Sequence, residues 1–268
     1  MKLKLHTKPD VPLEAESITP GVINNLKTKD IEKTKIFHGN REVNIADFFS
    51  VSKSKLDSLQ VEGDMNRIKY LGANMSEGEM HIEGDVGAHL GSAMSGGSIN
   101  VNGNAGDWIA PEMSGGRIHI SGNAGHCVAS AYRGASKGVS GGEIIIEGNV
   151  KNELGHAMAG ATMVVGGNCG DFAGVNMVSG TILIFGEMGI RTGAGMKRGS
   201  IICIDNLEIL PTFSYDCLYN PTYLKIFFKY LKENTKINIE DKIINGSFHR
   251  WSGDAIEMNR GELLVYSA

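Results

Sequence analysis

A thirteen-residue pattern, Gly-x-x-Met-x-x-Gly-x-Ile-x-Ile-x-Gly, is written seven times between Gly72 and Asp205 and leaves this chain few folds to choose from. The copies occupy 72–84, 91–103, 110–122, 136–148, 155–167, 174–186 and 193–205. Six residues separate successive copies, so the period is nineteen. The gap after Gly122 is seven residues longer and holds ASAYRGA, Ala129 to Ala135. A fixed period near twenty marks an array in which each unit buries its apolar residues only against its neighbours.

Within each copy a short alternating run, such as Ile99-Asn100-Val101 or Ile118-His119-Ile120, reads as a strand between glycines that permit tight corners. Stacking aligns Met75, Met94, Met113, Val139, Met158, Met177 and Met196 in one inward ladder, and Ile82, Val101, Ile120, Ile146, Val165, Ile184 and Cys203 in another. The expected fold is all-β: a right-handed parallel β-helix, a solenoid of about 19 residues per coil with three short strands in each, joined to an irregular N-terminal cap and a C-terminal helix. Left-handed hexapeptide helices and calcium-binding β-rolls repeat in other registers, and neither fits nineteen.

Thirty-one of the 36 glycines lie between Gly63 and Gly199, and five of the six prolines lie outside that span. This contrast divides the chain into a capping segment, 1–58, the array, 59–205, and a tail, 206–268. The net charge of −4, with no basic cluster interleaved with aromatics, argues against nucleic acid as a partner. MKLKLHTKPD lacks the apolar run of a signal peptide, and no stretch approaches about 18 apolar residues, so a cytoplasmic protein is expected.

The outward strand positions change character along the array. Early copies show Gln60, Glu62, His81, Glu83, Asn100, Asn102, His119 and Ser121, whereas later ones show Ile145, Val164, Leu183, Phe185, Ile202 and Ile204. An apolar stripe of that length needs a cover. The tail offers one, a helix begun by Asn220 as N-cap and Pro221 at its first position, with Tyr223, Ile226, Phe227, Tyr230 and Leu231 on one face. Either this helix packs on the late strands, or the stripe around Leu183 and Phe185, or the helix's own Leu224 and Phe228, receives another subunit. Arg250, Trp251 and Asp254 suit an interface or an internal ion pair with a core contact equally well. Tyr132 and Arg133, in the insertion, complete the candidate subunit interface.

Catalytic chemistry is hard to place. His81 and His119 share an outward column but sit two strands apart, about 9.6 Å, too far for one ion. Cys127, Cys169, Cys203 and Cys217 have no Cys-x-x-Cys spacing, and the buried ones read as small apolar residues. No nucleophile–base pair and no phosphate loop is found. We therefore expect no catalytic, cofactor-binding or metal-binding residue in this chain.

The seven copies resemble the repeats of the C subunit of formylmethanofuran dehydrogenase. RWSGD at Arg250 to Asp254 and RGELLV at Arg260 to Val265 resemble the tail of that protein, while the array alone is similar to the C-terminal glycine-repeat domain of glutamate synthase. Val139 for Met, Ala161 for Gly and Asp205 for the last Gly are the departures. The resemblance implies a non-catalytic structural subunit of an oxidoreductase complex that reduces carbon dioxide with ferredoxin-type electrons and attaches the formyl group to methanofuran, the first step of methanogenesis. Its implied partners are a catalytic subunit that binds a molybdenum or tungsten pterin, an amidohydrolase-like zinc subunit and iron–sulfur subunits, with methanofuran nearby. Two alternatives stand beside it. One is the C subunit of a formyltransferase/hydrolase complex, and the other is a stand-alone β-helix carbohydrate-active protein using the early polar face.

Overall fold

The computed structural model describes residues 1–54 and 56–267. Before the array come β1 (Lys2–Leu5), β2 (Leu13–Glu14), α1 (Pro20–Ile23), α2 (Thr28–Glu32), β3 (Lys35–His38), β4 (Arg41–Asn44) and β5 (Phe49–Ser52). The repetitive region supplies β6 (Leu59–Glu62), β7 (Ile68–Lys69), β8 (Glu79–Glu83), β9 (Ser98–Asn102), β10 (Arg117–Ile120), β11 (Glu143–Ile146), β12 (Ala159–Val165), β13 (Ser179–Ile184) and β14 (Gly199–Cys203). The tail adds β15 (Ser214–Tyr219), α3 (Thr222–Asn234), α4 (Asp241–Ile244), β16 (Ser247–Gly253) and β17 (Gly261–Ser267).

Thirteen strands form one mixed sheet in the order β15-β16-β17-β14-β13-β12-β11-β10-β9-β8-β6-β1-β5. From β1 to β17 neighbours pair in parallel, while β5 at one end and β16 and β15 at the other run antiparallel. A second, four-stranded sheet has the order β4-β3-β2-β7. This architecture replaces the expected right-handed parallel β-helix. That reading required three strands in each coil, whereas each copy contributes one strand to the large sheet.

The other expected strands fail for a local reason. Upstream of each strand every second residue is left-handed: Tyr70, Gly72 and Asn74, then His89, Gly91 and Ala93, then Trp108, Ala110 and Glu112, and again Phe172, Gly174 and Asn176, all with φ between 53° and 67°. Alternating positive φ folds the chain into successive tight turns and cannot extend it. Elsewhere in the repeat, strand-type pairing between copies is reduced to isolated bridges, such as Met65 to Val86 and Val150 to Cys169.

The two ladders read from sequence are buried: Met75 through Met196, and Ile82 through Cys203, sit in one continuous apolar cluster that also takes in Leu3, Phe49 and Leu263 from outside the array. Strand pairing keeps these residues in line, since Ile82, Val101, Ile120, Ile146, Val165, Ile184 and Cys203 are successive register partners. A second cluster lies on the opposite face of the same strands. No helix among the described residues is long and apolar enough to cross a membrane.

Candidate functional site

The register lines up Gln60, His81, Asn100 and His119 with Ile145, Val164, Leu183, Ile202 and Leu264 in one outward column. The apolar half is closed by this chain's own tail. Leu224, Phe228 and Leu231 of α3, with Ile237, Ile239, Ile243, Ile244 and Phe248, complete its cluster, and Leu183 is fully buried there. Phe185 is half-buried, meeting Phe228 edge-on at 6.1 Å, and lines a cleft of about 530 Å³ with Ile204, Ile237 and Tyr266.

The helix presents a different face from the one expected. Leu224, Phe228 and Leu231 point to the sheet, while Tyr223 is half exposed and Ile226 is 75% exposed. Two overlapping arcs of this helix are apolar, and the rim decides between them. The Tyr230 hydroxyl donates to Glu143 Oε2 at 2.9 Å, so Tyr230 belongs at the edge of the stripe where a polar partner exists. The start also differs: Pro221 holds the N-cap position without a side-chain bond, and Asn220 Nδ2 donates to the Asn245 carbonyl at 2.8 Å.

Hydrogen bonds mark where the cover ends. Glu147 accepts from the Lys236 backbone N–H at 2.8 Å and lies 3.0 Å from His119 Nε2. Arg117 sits 3.0 Å from Glu143. Beyond this border the outward face is open and polar: His81 pairs with Glu79 at 3.1 Å, and Asn102 donates to Glu83 at 2.8 Å. The two histidines of this column are thus engaged by different glutamates.

A left-handed position recurring every repeat carries Tyr70, His89, Trp108, Cys127, Glu153, Phe172 and Arg191 down another side of the array. Tyr70 and His89 stack at 4.6 Å, and Tyr132 from the insertion packs on both His89 (5.6 Å) and Trp108 (5.1 Å). Its hydroxyl is 2.8 Å from His89 Nδ1 and 3.3 Å from Ser92 Oγ. Burial pushes His89 below the ordinary histidine range and Tyr132 above the usual phenol range. Arg133, largely exposed, reaches Glu153 at 2.8 Å. The insertion is therefore strapped to the array by the two residues singled out as interface candidates. The aromatic ladder itself is not among the sequence expectations, although its signal, rings at 70, 89 and 108, follows the same period of nineteen.

The three tail candidates are engaged within the chain. Arg250 Nε donates to Glu262 at 2.9 Å, with Asp216 3.7 Å from its guanidinium, and Trp251 packs edge-on against Tyr215 at 5.3 Å. Asp254 is buried and accepts from the backbone N–H groups of Gly195 at 2.8 Å and Ile256 at 3.0 Å. Burial pushes its carboxyl up, but those two backbone bonds prevail and hold it below the ordinary range. Burial pushes the Cys169 and Cys203 thiols up to about 12 and Cys127 up to about 11. Such thiols resist the deprotonation that metal ligation needs. Among the described residues no three His, Cys, Asp or Glu side chains converge to hold a metal ion.

The family model described as the GXGXG motif matches residues 58–219, more than half of the chain. The C subunit of the molybdenum-containing formylmethanofuran dehydrogenase 1 of Methanothermobacter marburgensis is 40% identical over 79 residues, 29% of this chain and 20% of that protein. The C subunit of the tungsten-containing formylmethanofuran dehydrogenase 2 of Methanothermobacter thermautotrophicus is 37% identical over 84 residues, 30% of this chain and 31% of that protein. The matched segments thus span no more than about a third of these relatives. A chain of the crystal structure of the formyltransferase/hydrolase complex FhcABCD of Methylorubrum extorquens, in complex with methylofuran, superimposes over 100% of both chains with a TM-score of 0.91 and 30% identity. The C subunit of that complex is 33% identical over 85 residues, 31% of this chain and 32% of its own length. The repeated strand, the glycine corners and the family match establish that the chain belongs to the GXGXG motif family, in which it is similar to the C subunits of formylmethanofuran dehydrogenases and to a chain of the formyltransferase/hydrolase complex.

Proposed function

We propose that this chain is a structural, non-catalytic subunit of a formylmethanofuran dehydrogenase complex, in which other subunits reduce carbon dioxide to formate and attach the formyl group to methanofuran. The observation that carries this is the end-to-end likeness, at 30% identity, to one chain of a multisubunit formyl-transferring assembly. The higher identities to the dehydrogenase C subunits, 37% and 40%, favour the oxidoreductase form. In this reading the molybdenum or tungsten pterin, the iron–sulfur clusters and the zinc belong to the partner subunits. The buried, hard-to-ionise thiols of this chain agree with that division. The chain's part is to present a rigid surface, with the open polar half of the sheet and the strapped insertion as the faces left for partners, in the cytoplasm.

A second reading, the C subunit of a formyltransferase/hydrolase complex, draws on the same structural likeness. The carbohydrate reading has less to stand on. Its one aromatic platform, Trp108, is stacked at 5.1 Å under Tyr132 and is not free to meet a sugar ring.

Native mass spectrometry of the protein isolated gently from its own cells, with metal analysis of what travels with it, separates these readings. Partners carrying molybdenum or tungsten, iron and zinc are expected. Partners with zinc alone would move the assignment to the formyltransferase/hydrolase complex, and a stable lone chain would refute the structural-subunit reading.

A further inference from the structure

In four of the seven copies the two residues after the Met-ladder position are small, Ser95-Gly96, Ser114-Gly115, Ser140-Gly141 and Ala159-Gly160, whereas the first copy has Ser76-Glu77 and the sixth Val178-Ser179. Crowding accounts for this at the middle copies, since a Cβ on Gly115 would lie 2.5 Å from the Ser95 carbonyl oxygen. The last copy alone places two cations there, Lys197-Arg198. β14 pairs with β17 from Gly199 and Gly261 onward, so Arg198 and Arg260 each immediately precede one of two paired strands. Lys197, Arg198 and Arg260 are all exposed and line one cleft of about 340 Å³ with Glu257 and Met258. None of the three cations forms an ion pair with a carboxylate among the described residues, in a protein whose net charge is −4.

Cations gathered in one cleft repel one another. The copy before it closes the same corner with the uncharged Val178-Ser179, so the fold does not require cations here. Beside the cations, Ile256 and Met258 are 77% and 69% exposed, on the turn that leads into Arg260. Cations fringed by exposed aliphatic side chains suit a partner that brings carboxylates and an apolar anchor together.

We propose that the cleft of Lys197, Arg198 and Arg260 is a docking site for an acidic, extended segment of a neighbouring subunit, whose Asp or Glu carboxylates pair with the three cations while an apolar side chain covers Ile256 and Met258. The inference rests on the reading of this chain as a subunit of a larger complex, and it assigns one contact surface within it. Arg198 and Arg260, a planar fork just before each of two paired strands, set the spacing for two successive carboxylates, and Lys197 adds a third charge.

A water-soluble carbodiimide, which joins a lysine amine to a carboxylate in direct contact, tests this on the whole complex isolated at low salt. The expected product is an amide between Lys197 Nζ and an Asp or Glu of another subunit, found by peptide mass spectrometry. In the complex carrying Arg198→Glu with Arg260→Glu that cross-link falls at least tenfold, and the complex loses subunits at a several-fold lower salt concentration. Lys27→Glu with Lys29→Glu, equally exposed at the other end of the chain, leaves both readouts unchanged. An intact complex in which Lys197 links only to Glu257, only to a second copy of this chain, or to nothing overturns the docking site and leaves the subunit reading standing. A chain that is isolated alone overturns both.

Discussion

Replacing Phe228 with Ala tests which arc of α3 holds the tail on the sheet. The Phe228 ring is fully buried, stacks on Phe248 at 6.4 Å and meets Phe185 edge-on at 6.1 Å. A buried phenylalanine withdraws at least 150 Å² from water, worth about 4 kcal/mol, and Phe→Ala core substitutions cost about 3–5 kcal/mol. For a chain of this size each kcal/mol lowers Tm by about 2–4 °C, so a loss of about 10 °C is expected. Ile226→Ala, two residues away on the same helix but 75% exposed, should cost less than about 0.5 kcal/mol. Urea titration and thermal melting of both variants, followed by circular dichroism, measure the contrast. Equal losses, or a larger loss at Ile226, would refute this packing, because that result requires the opposite face to be buried.

Three further perturbations follow from the same geometry. Leu183→Asp places a carboxylate among Val164, Ile202 and Phe228 with no partner, and should destabilise the chain by more than about 3 kcal/mol; a folded variant at wild-type Tm would mean the stripe is solvated. Asp254 has its folded pKa below the unfolded value near 4, so its contribution is present above about pH 4 and is lost as pH falls through the folded value. Asp254→Asn should accordingly flatten the acid limb of the stability curve, and an unchanged limb would show that Gly195 and Ile256 do not hold the ionised form. At pH 8, iodoacetamide should modify Cys217, which is exposed, far faster than Cys127, Cys169 and Cys203, whose burial keeps them protonated; peptide mapping that finds Cys127 labelled first would contradict this.

Period and polarity were legible in the chain, and backbone conformation was not. Seven methionine-ladder copies identify the inward positions because side-chain burial repeats with the period, whatever the turns between strands do. The number of strands per repeat is a different kind of fact. Ala93, Ala110, Asn176 and Ala157 adopt φ of 53° to 56° although none is glycine, and nothing in their identity announces it. Neighbouring copies impose the conformation: His89 N–H donates to the Asp107 carbonyl at 3.0 Å and Ala93 N–H to that of Pro111 at 2.9 Å. A left-handed alanine costs about 1–2 kcal/mol alone and is tolerated once such bonds depend on it. The misassigned helix face has a similar origin, because amphipathic spacing selects an arc about 100° wide and α3 has two of them. Glu143, 87 residues upstream of Tyr230, is what separates the two.

The tail explains why the array can end where it does. Gly261-Glu262-Leu263-Leu264-Val265 pairs residue for residue with Gly199 to Cys203, so a strand from outside the repeats supplies one more copy of the repeated strand. Its glycine does the work of the repeat glycine. A Cβ on Gly261 would come within 2.6 Å of Met196 Cε, as one on Gly199 would of Met177 Cε. The Met of each copy thus lies under the glycine of the next strand, and the last Met, Met196, is covered only because β17 returns to it. From there β16 and β15 reverse direction, and at the opposite end β1 adds in parallel before β5 reverses. Both ends of the stack are closed by the same sequence of events, a parallel strand that imitates a repeat and then an antiparallel one that cannot be imitated in turn. Within RGELLV, Gly261 to Val265 are thus fixed by pairing with β14, and Arg260, which that pairing does not require, is the residue of the motif left over for a partner.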